Sequence, residues 1–168
     1  MKKISILLCC ALIMQMFCSC TANKEEFQEP VNFYYGNKEI FYNSPAGVIQ
    51  AELREGNNFH GNLTAFLRAY LLGPMSSDLY SFVPSDVYVV SCEVDEGYAV
   101  VVLSSQFSNL SGVELSAACS ALLMTLHDYI GIETLELKAK DSQLDGKNEI
   151  IIGIDDIVLM DTAVSDTE

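Results

Sequence analysis

Two stretches of helical periodicity, set on either side of an alternating segment, constrain this chain more than any other feature. Leu63, Phe66, Leu67, Tyr70 and Leu71 recur at i, i+3, i+4, i+7 and i+8, one apolar stripe that Gly73-Pro74 stops. Leu115, Ala118, Cys119, Leu122, Leu126 and Tyr129 draw a second stripe. Its start is marked by Ser111 with Glu114 three residues on, the form of a capping box, and its end by Gly131. Between the two, Val87 to Val94 alternates, with Tyr88, Val90, Cys92 and Val94 on one face. Asp95-Glu96-Gly97 then turns the chain into the apolar run Tyr98 to Leu103, which reads as a hairpin. Neither helix can bury its stripe by itself, so each must lie against a sheet.

The remaining strands follow from the same reading. Val31 to Tyr35 and Ile40 to Tyr42 are aromatic and β-branched, and Gly36-Asn37 between them predicts a tight turn. A further extended piece covers Val48 to Leu53. Leu135, Leu137 and Ala139 alternate with Thr134, Glu136 and Lys138, giving a strand with one wet face, and Glu149 to Ile154 follows an Asp145-Gly146 turn. The order predicts an α+β fold, a mainly antiparallel sheet with two amphipathic helices on one face. Alternation leaves some of Phe33, Tyr34, Tyr35, Phe41 and Tyr42 off the core face unless both faces are covered. Tyr34, Tyr35, Phe41 and Tyr42 are therefore candidate partner-binding residues, and a sheet covered on both sides is the alternative.

The first residues are of another kind. Met1-Lys2-Lys3 precedes a 14-residue apolar run, Ile4 to Phe17, and then Ser19-Cys20. Charge, apolar run and small residue in that order make an export signal, and the run falls short of the roughly 20 residues that span a bilayer. Thr21 to Pro30 is polar and acidic and too poor in apolar residues to fold. The expected organisation is a signal at 1–19, an acidic tether at 20–30, one domain at 31–154 and an acidic flexible tail at 155–168. Phe17-Cys18-Ser19-Cys20 resembles the lipobox of bacterial lipoproteins, with Phe17 where a branched aliphatic is usual. The resemblance implies cleavage before Cys20, a diacylglycerol on its sulfur and a further acyl chain, such as palmitate, on its amine. With each buried CH₂ contributing about 0.8 kcal/mol, such chains would hold the protein at the outer face of the cytoplasmic membrane.

Charge and side-chain inventory narrow the function. A net charge of −14 from 9 basic and 23 acidic residues, with no basic cluster, repels phosphate backbones and argues against nucleic acid. With Cys9, Cys10 and Cys18 in the signal and Cys20 acylated, Cys92 and Cys119 remain, as core residues or as a disulfide. No CxxC, HExxH or Cys/His cluster supports a metal, and no motif calls for a cofactor. The histidines are His60 and His127. A Ser104, His127, Asp128 triad fails on paper because neighbouring helix residues do not face each other. Asp155, Asp156 and Asp161 lack the glycine-centred loop of a calcium site. Paired carboxylates hydrolysing cell-wall glycan, or an accessory factor of such an enzyme, form the competing reading.

Four stretches carry a family resemblance over Val31 to about Gly146. They are Leu71-Leu72-Gly73-Pro74, Val83-Pro84, Gly97 to Ser104 followed by Phe107, and Ala121 to Leu126 with Gly131-Ile132. In that order and spacing they resemble the GerMN domain of sporulation and spore germination, with Val102 where the family commonly carries Asp or Asn. The resemblance implies an α/β fold related to ring-building motifs. It also implies an interaction module in the envelope that binds a protein or peptidoglycan and carries out no known reaction. Either a monomer or an oligomer fits.

Overall fold

The computed structural model describes residues 29–39, 48–59 and 61–157. Cys20, the signal, most of the tether, Phe41, Tyr42, His60 and Asp161 lie outside them. Among the described residues, seven strands form two sheets. The first has the order β2-β1-β3, from β1 (Pro30–Asn37), β2 (Ile49–Glu55) and β3 (Leu79–Tyr80), all antiparallel. The second has the order β4-β5-β6-β7, from β4 (Val89–Asp95), β5 (Tyr98–Leu103), β6 (Thr134–Ala139) and β7 (Ile150–Gly153). Helix α1 (Leu63–Leu71) and helix α2 (Gly112–Ile130) complete the α+β fold. Its strands are mainly antiparallel, but they make two sheets where one was expected, and β5 and β6 run parallel. A parallel pair needs a long crossover, and α2 is that crossover.

The turn expected at Gly36-Asn37 does not form, and the second strand expected with it, Ile40 to Tyr42, lies outside the described residues. Gly36 and Asn37 continue β1, which pairs along its length with β2 and, through these two residues, with β3 on its other edge. Glycine serves a different need at this point. A Cβ on Gly36 would lie 2.3 Å from Cζ of Tyr80, so the missing side chain lets β3 close on β1. The hairpin of β4 and β5 does form, turning through Glu96 (φ 42°) and Gly97 (φ 83°), the paired positive φ of a type I′ turn.

Helix α1 is capped by Asn62, whose side chain accepts from the Ala65 N–H at 3.0 Å. Helix α2 departs from expectation at its start, because the Ser111 side chain makes no capping bond. The Asp145 carboxylate does that work from the turn before β7, accepting from the Gly112 N–H at 2.9 Å. The α2 stripe is also broader than its periodicity suggested, with Ala121, Leu123 and Thr125 buried besides Leu115, Ala118, Cys119, Leu122 and Leu126. The reason is that α2 touches both sheets, β1 of the first and β6 and β7 of the second.

One core joins these layers. Ala99, Val101, Leu103, Leu135, Leu137 and Ala139 line the inner face of the second sheet, each largely or wholly buried. Phe33 of β1 meets Phe66 of α1 edge to face at 4.8 Å between ring centres, and Tyr35 stacks on Tyr70 at 5.1 Å. Fully buried aromatic rings of this kind contribute about 1.5–3 kcal/mol each.

Candidate interaction surface

The aromatic residues proposed from sequence as a partner surface fall into different environments. Tyr35 is wholly buried, and its hydroxyl donates to the Tyr70 carbonyl at 2.8 Å. It is a core residue, because β1 sends Phe33 and Tyr35 to the side that α1 covers. Tyr34 points the other way and is half-buried. Its hydroxyl donates to Asp128 of α2 at 2.9 Å, and the same carboxylate oxygen accepts from Asn32 at 2.8 Å. Burial and this bond push the Tyr34 phenol up to about 12. The Tyr34 N–H donates to the Thr125 hydroxyl at 3.0 Å, while that hydroxyl donates to the Ala121 carbonyl at 2.8 Å. Tyr34 thus joins β1 to α2.

The paper triad is equally dispersed. Ser104 is buried and its hydroxyl accepts from the Tyr88 N–H at 3.2 Å. His127 Nδ1 lies 2.7 Å from the Ile132 carbonyl, which makes it the donor, and Asp128 serves Asn32 and Tyr34. Asp156 accepts from the Gly153 N–H at 2.8 Å, and among the described residues no group of three metal-binding side chains assembles. Cys92 and Cys119 are free thiols, pushed by burial up to about 11 and about 12, the wrong direction for a nucleophile. On the outer face of the second sheet, bonds from Lys138 and then Tyr98 hold Glu136 below the usual carboxylate range. A general acid needs the opposite shift.

What the surface offers instead is an open groove of about 560 Å³ along the flank of α1. Ala65 and Ala69 line its helix side, buried Leu71 and Val87 its floor and exposed Leu72 and Tyr88 its rim, and Arg68 and Ser85 add polar groups to the lining. Leu72 is 88% exposed and Tyr88 57% exposed, although Leu71 and Val87 next to them in sequence are buried. The exposure of Leu72 has a sequence signal: it lies off the stripe that Leu71 completes.

The loop that follows Leu72 is held in place by β2. Glu52 and Arg54 of β2 form an ion pair with side chains 11% and 14% exposed. The Glu52 carboxylate accepts from the N–H groups of Met75, at 2.9 Å, and Ser76, at 2.7 Å. Arg54 donates to the Gly73 carbonyl at 2.7 Å and lies over the Phe33 ring, 4.9 Å from its centre. The loop after α1 is therefore anchored at three successive points, with Leu72 and the 83% exposed Met75 projecting from it. Nothing in the sequence singles out Glu52, Arg54 or Arg68 as functional, and Leu72 stands out only within the Leu71-Leu72-Gly73-Pro74 stretch of the family resemblance.

The class defined by these features is a two-helix, two-sheet α+β domain with a pinned apolar loop and no assembled catalytic group among the described residues. Comparison with solved structures names the fold. The chain superposes on the first GerMN domain of the sporulation protein GerM from Bacillus subtilis with a TM-score of 0.56, at 15% identity, over 71% of this chain and 91% of that one. Against the tandem GerMN domains of the same protein the TM-score is 0.55, at 17% identity, over 77% of this chain and 46% of that one, so the chain spans about half the tandem's length. The described residues have the GerMN fold. No family model matches the sequence, and no curated protein matches it.

Proposed function

We propose that this chain is an extracytoplasmic lipoprotein, anchored through Cys20, whose GerMN-type domain binds another envelope component through the groove beside α1, in sporulation or envelope assembly. The observation that carries the binding reading is the pinned, exposed rim. Leu72 and Met75, exposed apolar side chains on a loop fixed by part-buried and exposed bonds to Glu52 and Arg54, make a preorganised contact, since less freedom remains to be lost on association. The GerMN fold supports the setting, because the solved neighbours come from a sporulation protein. The anchor reading rests on Lys2-Lys3, the apolar run and Ser19-Cys20. Among the described residues no helix is long and apolar enough to cross a membrane.

Two experiments test the halves separately. Cys20→Ser should move the protein from the detergent phase to the aqueous phase on phase partitioning, and retention in the detergent phase would remove the lipid anchor. Leu72→Ser should lose co-purification of the partner after cross-linking in intact cells, at an unchanged melting temperature. Co-purification equal to that of the parent chain would exclude the groove.

A further inference from the structure

We infer that the groove beside α1 receives an apolar peptide segment of a partner protein that brings a carboxylate to Arg68. This rests on the binding reading above and specifies the partner's chemistry. Arg68 is exposed and has no ion pair among the described residues, in a chain with 23 acidic and 9 basic residues. Of the other described cations, Arg54 and Lys138 are bound to carboxylates and Lys38 donates to the Ser77 carbonyl, while Lys140 and Lys147 are exposed and also without an ion pair but do not line this groove. A cation in the last turn of α1 gains from the helix dipole, which accounts for its charge but not for the apolar walls around it.

The walls define the rest of the ligand. Ala65 and Ala69 lie one turn apart on either side of Arg68, so a partner backbone can approach the helix closely there. Leu71 and Val87 form an apolar floor, and Leu72 and Tyr88 stand at the edges as anchors. A carboxylate delivered next to that floor would be partly desolvated, where a forked guanidinium bond gains strength and orientation. The surplus of acid on the chain repels acidic partners in general, so Arg68 makes the groove a local exception that selects register. A fatty acid shares the apolar and carboxylate chemistry, but the groove is open along its length, which suits a peptide and leaves an acyl chain in water.

The test uses the full chain in phosphatidylcholine vesicles and a fluorescein-labelled, leucine-rich amphipathic peptide with one central Glu, compared with its Gln and Lys versions. Anisotropy titration should show the Glu peptide binding about tenfold more tightly than the Gln peptide. Arg68→Ala should erase that preference, and Arg68→Glu should transfer it to the Lys peptide. Leu72→Ser should weaken all three, with the far-UV spectrum unchanged. Equal binding of the three peptides, no binding, or displacement by palmitate but not by unlabelled Glu peptide would each overturn the inference. A photo-cross-linker at Leu72 and another at Val113, 85% exposed at the start of α2, separates this failure from that of the binding reading. Adducts from Val113 alone would leave a binding domain without this groove, and adducts from neither site would remove both.

Discussion

The two helices of this domain solve the same problem to different degrees. Helix α2 is claimed by both sheets, so residues that periodicity places off its stripe, Ala121, Leu123 and Thr125, are buried with the rest. Helix α1 buries Phe66, Leu67, Tyr70 and Leu71 and leaves the Ala65, Arg68 and Ala69 flank beside an open groove. Their difference teaches that stability and recognition are divided between them. The longer helix holds the layers together, and the shorter one offers a surface whose side chains can change without disturbing the core.

The largest expected effect tests that division. Leu122→Ala removes a fully buried side chain from α2 and should cost about 3 kcal/mol in chemical denaturation. Arg68→Ala on the α1 flank should stay within about 0.5 kcal/mol. Similar losses for the two would end the distinction. Next comes Glu52→Gln, which leaves Arg54 without its partner in a confined site and weakens the bonds to Met75 and Ser76. A loss of about 2–3 kcal/mol is expected, with faster amide exchange at Met75 and Ser76. Unchanged exchange would show that the loop is held by something else. The smallest effect sharpens the account of α2. Thr125→Val keeps the shape but leaves the Tyr34 N–H without its acceptor, for about 1–2 kcal/mol, whereas Thr125→Ser should restore most of it. Equal behaviour of the two would assign the loss to packing.

How much of this was legible depends on how local each cause is. The stripe of α1, the stripe of α2 and the Glu96-Gly97 hairpin are each written within one short continuous stretch, and all three form. Gly36-Asn37 carries the local chemistry of a turn, yet its outcome is decided by Tyr80, more than forty positions away. The Ser111 cap fails for the same reason, since Asp145 reaches the helix start across the fold. Tyr35 could not be told from Tyr34 until β1 had a covered side. In the candidate site, Leu72 was legible as a leucine one place beyond its stripe. Glu52 and Arg54 were not, because an alternating pair of charges on a strand reads as a wet face until an aromatic core and a loop are packed against it.

The parallel pairing of β5 with β6 also sets an order of events. Strand β5 can meet β4 as soon as both have been synthesised, through a two-residue turn. It cannot meet β6 until the whole of α2 has followed. Until then its second edge stands bare, so the growing chain carries an unpaired apolar strand, and the interval is set by the length of one helix.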